Sequence, residues 1–270
     1  MPNLDQYLVD PKKFSLKNFN PRDKSERGAS KEQDLIALTK LGAEINALKD
    51  ILNAEGKSKV LLILQGMDAS GKDGTVSYLL SECNQIGIRL TSFKTPSNQE
   101  LKYDYLWRVH RQVPQAGELV IFNRSHYEDV LIVKVHNWID DAECQRRYAQ
   151  INDFERLLSE TGTTIIKCFL HISKVEQKTR LQERLDDPMK NWKFNPNDLK
   201  ERALWTTYMQ AYEMALKATS TEHAPWYLIP ADSKMNRNLL ISRILLNTLK
   251  NLKLKYPPVK LDLKSIVIAD

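Results

Sequence analysis

The stretch Gly66-Met67-Asp68-Ala69-Ser70-Gly71-Lys72-Asp73-Gly74-Thr75 directly follows an apolar run, Val60-Leu61-Leu62-Ile63-Leu64. An apolar strand, a glycine-rich turn ending in Gly-Lys, then a helix is the layout of a loop that cradles phosphate. Glycines let backbone N–H groups approach a polyphosphate, the helix N-terminus favours anions, and the lysine adds a point charge. The expected cradle is the N–H groups of Ala69, Ser70, Gly71 and Lys72. The surrounding Gly66, Asp73, Gly74 and Thr75 belong to the same phosphate-binding turn. Lys72 is expected to reach bridging and terminal phosphate oxygens. One position is unusual. The residue after Gly-Lys is normally Ser or Thr, whose hydroxyl ligates Mg²⁺. Here it is Asp73, and a second carboxylate, Asp68, sits inside the loop.

Outward from this loop, strands and helices alternate. Strand candidates are Lys59–Gln65, Ile88–Phe93, Leu119–Phe122, Thr163–His171 and Trp226–Ile229. Helical spacing fills Lys31–Glu55, Gly74–Ile86, Gln99–Val109, Asp141–Glu160 and Lys174–Asp186. A long helix follows Asn195-Pro196-Asn197-Asp198, with Leu199, Leu204, Trp205, Tyr208, Tyr212 and Leu216 in step, and a last helix covers Lys234–Leu252. The Tyr and Trp stripe reads as core or subunit contact rather than a ligand platform. Alternation of this kind predicts an α/β fold with a parallel sheet. Five strands, the first ending in the loop, suit a P-loop kinase. Residues 1–30 read as an N-terminal arm whose Tyr7, Phe14 and Phe19 dock it on the body. Residues 31–256 form the kinase domain, with a lid at about 174–198. The tail 257–270 alternates Val259, Leu261, Leu263 and reads as an added edge strand or a loosely held end.

With 270 residues, 42% of them hydrophobic, the chain can bury a sizeable core. A net charge of +6 suits a polyanionic partner but also fits an ordinary basic surface. Cys83, Cys144 and Cys168 are odd in number and lack C-x-x-C spacing, which argues against a zinc site or a disulfide framework and for a cytoplasmic location. The N-terminus, Met1-Pro2-Asn3-Leu4-Asp5-Gln6-Tyr7, has no basic segment ahead of an apolar one, and no run approaches a membrane span. A soluble protein with no membrane partner is expected. No RNA-binding or helix-turn-helix signature is present, so no nucleic-acid partner is expected.

Three further segments carry chemistry. In Leu119-Val120-Ile121-Phe122-Asn123-Arg124-Ser125-His126-Tyr127-Glu128-Asp129, a buried strand ends in dense polarity. Ligands in open α/β sheets bind at the carboxyl ends of strands. A strand ending in Asp is the usual metal site of such enzymes. Asn123 supplies a weaker, neutral oxygen there, with Asp68 replacing the missing carboxylate. Asp68 and Asn123 are therefore the candidate metal holders. Arg124 would clamp phosphate oxygens with its planar fork. A surface helix cap with a salt bridge is the bland alternative for this pair. Glu128 and Asp129 either pair with lysines or handle the acceptor nucleotide, and His126 reads as a hydrogen-bonded structural residue. The basic segment Arg180, Arg184, Lys190, Lys193 stands where P-loop kinases place a mobile lid, and lid arginines neutralise a transferring phosphoryl group. After the second strand, Lys94 is a candidate phosphate contact. Arg108 and Arg111 are either phosphate contacts or surface charges.

These motifs together resemble the polyphosphate kinase 2 family: GMDASGKDGT at 66–75, YLWRVH at 105–110, FNRSHYEDVL at 122–131, RLDDPMKNWKF at 184–194 and APWYLIPADSK at 224–234. The resemblance implies a thymidylate-kinase-like, three-layer fold, a five-stranded parallel sheet and a helical lid. It implies that Asp68 positions Mg²⁺ and the attacking phosphate oxygen, and that Lys72, Arg124, Arg180 and Arg184 handle phosphate. Asn123 departs from members with Asp there, and the FNRS form implies that AMP is accepted as well as ADP. The resemblance also implies a homodimer or homotetramer.

The expected activity is transfer of a terminal phosphoryl group from inorganic polyphosphate to ADP and AMP, reversibly, with Mg²⁺ or alternatively Mn²⁺. Adenine and guanine nucleotides are both candidate partners. The rivals are an ATP-dependent nucleoside or nucleotide kinase on the same fold and a non-catalytic polyanion-binding protein.

Overall fold

The computed structural model describes residues 4–261, 266 and 268. Its sheet holds β1 (Lys59–Gln65), β2 (Ile88–Ser92), β3 (Leu119–Asn123), β4 (Thr163–His171) and β5 (Trp226–Pro230). All pairings are parallel and the order is β2-β3-β1-β4-β5. Six consecutive residues of β1, Val60 to Gln65, are buried, so both faces of the central strand are covered. This is why it reads as an unbroken apolar run rather than an alternating one.

The helices are α1 (Lys31–Glu55), α2 (Lys72–Glu82), α3 (Trp107–His110), α4 (Ile132–Val135), α5 (Asp141–Glu160), α6 (Lys174–Asp186), α7 (Asn197–Ala203), α8 (Trp205–Thr219) and α9 (Lys234–Asn251). Their ends follow local chemistry. Ser30 caps α1 by accepting from the Gln33 amide, and Gly56 closes it with a left-handed φ of 63°. Ser173 and Ser233 cap α6 and α9 in the same way.

Three expected helices differ. α2 begins at Lys72, two residues earlier than Gly74, and stops at Glu82 rather than Ile86. There the buried ammonium of Lys49 takes the carbonyls of Asn84 and Ile86, turning the chain into β2. The helix expected at Gln99–Val109 is broken. A 3-10 turn covers Glu100–Lys102, and Asp104 then accepts from the amides of Leu106 and Trp107 to start the short α3. The long helix after Asn195 divides at Leu204 into α7 and α8. Tyr208, Tyr212 and Leu216 of α8 are buried, so the aromatic stripe is core.

The N-terminal segment packs on the body. Tyr7, Val9, Phe14 and Leu16 are buried, Phe19 packs partly buried against the core, and Leu8 bridges Tyr227 antiparallel on the open edge of β5. The Val9 amide donates to the Trp226 carbonyl at 2.9 Å. This contact protects an edge that would otherwise offer unpaired backbone groups. Residues 254–261 carry no strand; Leu263, part of the edge-strand expectation, lies outside the described residues.

One polar cluster lies wholly inside the core. Lys167 on β4 donates to Glu155 Oε2 on α5 at 2.6 Å, to the Tyr127 hydroxyl at 2.8 Å and to the Thr219 carbonyl at 2.7 Å. Glu155 Oε1 also contacts Tyr127 at 2.8 Å and His126 Nε2 at 3.2 Å. Burial pushes the Glu155 carboxyl up, but Lys167 and His126 outweigh it and hold it below its ordinary value. The cluster ties the turn after β3 to β4, α5 and α8. Removing one member of a buried pair strands the other charge, at a cost of about 3–5 kcal/mol. Glu155→Ala should therefore lower the urea midpoint sharply. Glu155→Leu combined with Lys167→Met should recover most of that loss, because no unpaired charge is left inside.

Candidate active site

The chain leaves β1 toward β2 on one side and leaves β3 toward β4 on the other. Neighbouring strands whose connections diverge leave a crevice at their carboxyl ends. Leu64 of β1 pairs in register with Asn123 of β3, and the Arg124 amide donates to the Leu64 carbonyl at 3.0 Å. The glycine-rich loop and the Asn123-Arg124 dipeptide thus stand side by side.

Gly66 has φ 154°, and a Cβ there would meet the Leu170 carbonyl and Ser70 Oγ, each at 2.8 Å. Only glycine fits that turn. Ala69 (φ 62°) and Arg124 (φ 63°) hold left-handed backbone without being glycine. Such conformations cost about 1–3 kcal/mol and concentrate at functional sites.

Four of the six candidate catalytic residues converge here. Arg124 Nη2 donates to Asp68 Oδ1 at 2.8 Å, and its Nη1 lies 3.6 Å from Glu128 Oε2. Glu128 Oε1 accepts from Gln65 Nε2 at 2.8 Å. Asn123 Nδ2 donates to Asp73 Oδ1 at 2.6 Å. Lys72 is buried and donates to the carbonyls of Gly66 (2.7 Å) and Met67 (3.2 Å).

Asp73 contacts Asn123, while Asp68 is engaged by Arg124. In the common arrangement a neutral hydroxyl follows the lysine and a carboxylate ends the strand. Here the two have exchanged places between positions 73 and 123, and Asp68 is a further carboxylate in the loop. Among the four cradle amides, Ser70 N–H is used inside the loop, donating to the Met67 carbonyl at 3.1 Å.

The lid candidates lie elsewhere. Arg180 was expected over the phosphates, but its fork is committed to backbone. Nη1 donates to the carbonyls of Ala69 (3.0 Å) and Ser70 (3.1 Å), Nη2 to those of Ala231 and Asp232 (both 2.7 Å), and Nε to Glu176. It braces the loop from α6. Arg184 pairs with Asp198 at 3.0 Å and so joins the two arms of the lid. Burial, then the Asp68 charge, pushes the Asp198 carboxyl up, so this segment feels the loop. Lys190 pairs with Asp187 on the surface, and exposed Lys193 lies 5.0 Å over the Trp192 ring. Lys94 is exposed, and its carbonyl accepts from Arg108. Arg108 is buried and faces Asp129 at 3.6 Å, so it is not a free surface charge. Clefts of about 250 and 550 Å³ flank Trp107 and Arg111, and neither is lined by a residue of the glycine-rich loop.

Two residues at the loop gave no signal in the sequence. Gln177 Nε2 on α6 donates to the Asp68 carbonyl at 3.0 Å, and Arg237 Nη1 on α9 donates to the Ser70 carbonyl at 3.3 Å. Each is one polar side chain in an amphipathic helix, with no spacing to mark it.

Among the described residues no group of three or more His, Cys, Asp or Glu is arranged to hold a metal. Asp68, Asp73 and the amide of Asn123 are oxygen donors of the kind a hard cation takes.

The fold and this crevice define a P-loop phosphoryl-handling protein. The sequence profile of the polyphosphate kinase 2 family matches residues 28–257, and the chain belongs to that family. It is 52% identical over 266 residues to an AMP/ADP-polyphosphate phosphotransferase of Meiothermus ruber, covering 98% of this chain and 100% of that one. An ADP-polyphosphate phosphotransferase of Rhodopseudomonas palustris is 45% identical over 225 residues, 79% of this chain and 78% of that one. The crystal structure of polyphosphate kinase 2 from Arthrobacter aurescens TC1 superposes with a TM-score of 0.94 at 44% identity, covering 97% of this chain and 93% of that one.

Burial, then the neighbouring Arg124 charge, lowers Lys72 from 10.5 to about 8. Between those values the unfolded chain holds a proton that the native chain releases, so this group adds stability as pH rises through that window. An anion bound at Lys72 restores the proton. Tripolyphosphate binding near pH 8.5 should therefore take up most of a proton per site. Binding heats measured in two buffers of different ionisation enthalpy report this uptake. It should shrink near pH 7 and vanish in Lys72→Met.

Proposed function

We propose that this chain transfers the terminal phosphoryl group of inorganic polyphosphate to ADP and to AMP. The observation that carries the proposal is full-length similarity to the Meiothermus ruber AMP/ADP-polyphosphate phosphotransferase. The crevice between β1 and β3 supports it with a P-loop lysine, an arginine and two loop carboxylates. A terminal oxygen of the acceptor attacks the terminal phosphorus of the chain in line. The bridging P–O bond breaks, and the leaving group is polyphosphate shortened by one unit. Each side exchanges one phosphoanhydride for another, so the reaction runs in both directions.

Phosphoryl transfer needs positioning and charge neutralisation more than covalent help. Lys72 holds terminal oxygens, and the amides of Ala69, Gly71 and Lys72 hold the chain. Arg124, oriented by Asp68 and Glu128, binds the oxygens that pass between donor and acceptor. The residues that would hold Mg²⁺, or Mn²⁺ in its place, are Asp68 and the Asp73–Asn123 pair. When bound, the metal neutralises charge on the phosphoryl oxygens. Among the described residues no helix is long and apolar enough to cross a membrane. The three cysteines are free and buried, which suits a reducing compartment such as the cytoplasm.

Purified protein with Mg²⁺, polyphosphate and AMP, ADP, GMP or GDP should yield phosphorylated nucleotide, resolved by anion-exchange chromatography. Absence of any product overturns the proposal, and reaction of ADP without AMP removes the AMP part. Lys72→Ala and Asp68→Asn should each lose at least about two orders of magnitude in kcat while keeping the wild-type melting temperature, the scale seen when one charge-stabilising group is removed. Asp73→Asn should shift the divalent-ion requirement to higher concentration.

A further inference from the structure

Arg237 is an anomaly of charge. It is 2% exposed, on α9, and carries a cation into the protein interior. Its hydrogen-bond acceptors are neutral: the Ser70 carbonyl for Nη1, and Asn238 Oδ1 for Nε (3.2 Å) and Nη2 (3.0 Å). The charge that acts on it is another cation, Arg180, which shares the Ser70 carbonyl. Burial, then Arg180, lowers Arg237 to about 9, so it remains a cation at neutral pH but an unbalanced one. No loop carboxylate pairs with it: Asp68 is engaged by Arg124, Asp73 accepts from the neutral amide of Asn123, and the guanidinium donates only to neutral oxygens. An uncompensated buried charge costs several kcal/mol.

Its position is specific. A Cβ on Gly71 would lie 1.8 Å from Arg237 Nη1, so the guanidinium rests directly against the glycine that precedes the P-loop lysine. The peptide between Ser70 and Gly71 offers its carbonyl to Arg237. In a trans peptide the N–H points the opposite way, so the Gly71 amide is turned away from Arg237. The arginine thus lies behind the cradle, one peptide unit deep, and polarises an amide of the cradle itself.

Resting on the polyphosphate reading above, we infer that Arg237 is a positioning residue whose balancing charge is the bound polyphosphate chain: it turns the Ser70–Gly71 peptide and places positive charge behind the phosphates. The fold carries this charge unpaired so that an anion in the loop completes the pairing. Arg237 acts through the loop and does not touch the reacting atoms.

The test uses the full-length protein, tripolyphosphate as probe, and the variants Arg237→Met and Arg237→Lys. Replacing a buried unpaired cation by an apolar chain of similar length is neutral or stabilising. Arg237→Met should therefore melt at or above the wild-type temperature without ligand. It should bind tripolyphosphate about tenfold more weakly, the size of a single charge acting at about 6 Å through partly screened protein. The rise in melting temperature on adding tripolyphosphate should fall accordingly. In turnover, the KM for polyphosphate should rise while the KM for ADP stays within about twofold. Arg237→Lys, which keeps the charge, should recover most of the tripolyphosphate affinity. A merely structural Arg237 gives the reverse pattern, a lower melting temperature in Arg237→Met with unchanged affinity, and that result overturns the inference. So does an Arg237→Lys as weak as Arg237→Met. If Arg237→Met does not fold, the inference fails on stability. Wild-type protein that does not bind tripolyphosphate overturns the polyphosphate reading itself, an outcome distinct from equal binding by wild type and variant.

Discussion

The crevice depends on how one short loop presents its peptide bonds. The carbonyls of Asp68, Ala69 and Ser70 are taken up by Gln177, Arg180 and Arg237 from helices α6 and α9. A trans peptide places N–H and C=O on opposite sides, so the Asp68 and Ser70 carbonyls held outward turn the Ala69 and Gly71 amides the other way, while the Ser70 amide closes the loop on Met67. Inward amides are the neutral, directional part of a phosphate site, and lysine and arginine charges add to it. Without that bracing the loop would be free to turn its carbonyls, which repel phosphate, into the same space.

The extra negative charge of the loop acquires a physical account from its partners. Asp68 is held by Arg124 and Asp73 by Asn123, across the two strand ends brought together by the register of β1 and β3. The exchange of a carboxylate and a neutral side chain between positions 73 and 123 moves one carboxylate to the other wall, and Asp68, held by Arg124, adds a further one. The loop, rather than the strand end, holds the acidic oxygens, so the β3 side is left to Arg124.

Stability and site share one buried network. Lys167 and Glu155 are charged groups inside the core, and through His126 and Tyr127 they hold the turn that begins at Arg124. Arg124 itself sits in strained left-handed backbone. A turn that stores strain persists only where its surroundings over-determine it. The N-terminal segment contributes at the far edge, where it covers β5 and places the Pro21 carbonyl on the Asp232 amide, next to the carbonyl that Arg180 uses.

The sequence by itself determined the elements and the crevice. Unbroken apolar runs mark strands covered on both faces, as in Val60–Leu64. The loop and the Asn123-Arg124 strand end were legible because their residues are contiguous. The family resemblance was legible for the same reason. Tertiary structure decided everything that joins distant segments. It committed Arg180 to the loop's backbone carbonyls, split the 99–109 segment at Asp104, and paired Asn123 with Asp73. It also brought Gln177 and Arg237 to the loop from 109 and 167 residues away in sequence. A single arginine on an amphipathic helix has no periodicity or spacing that reveals its target. Its meaning depends on which backbone groups lie within about 3 Å, and only packing sets that distance.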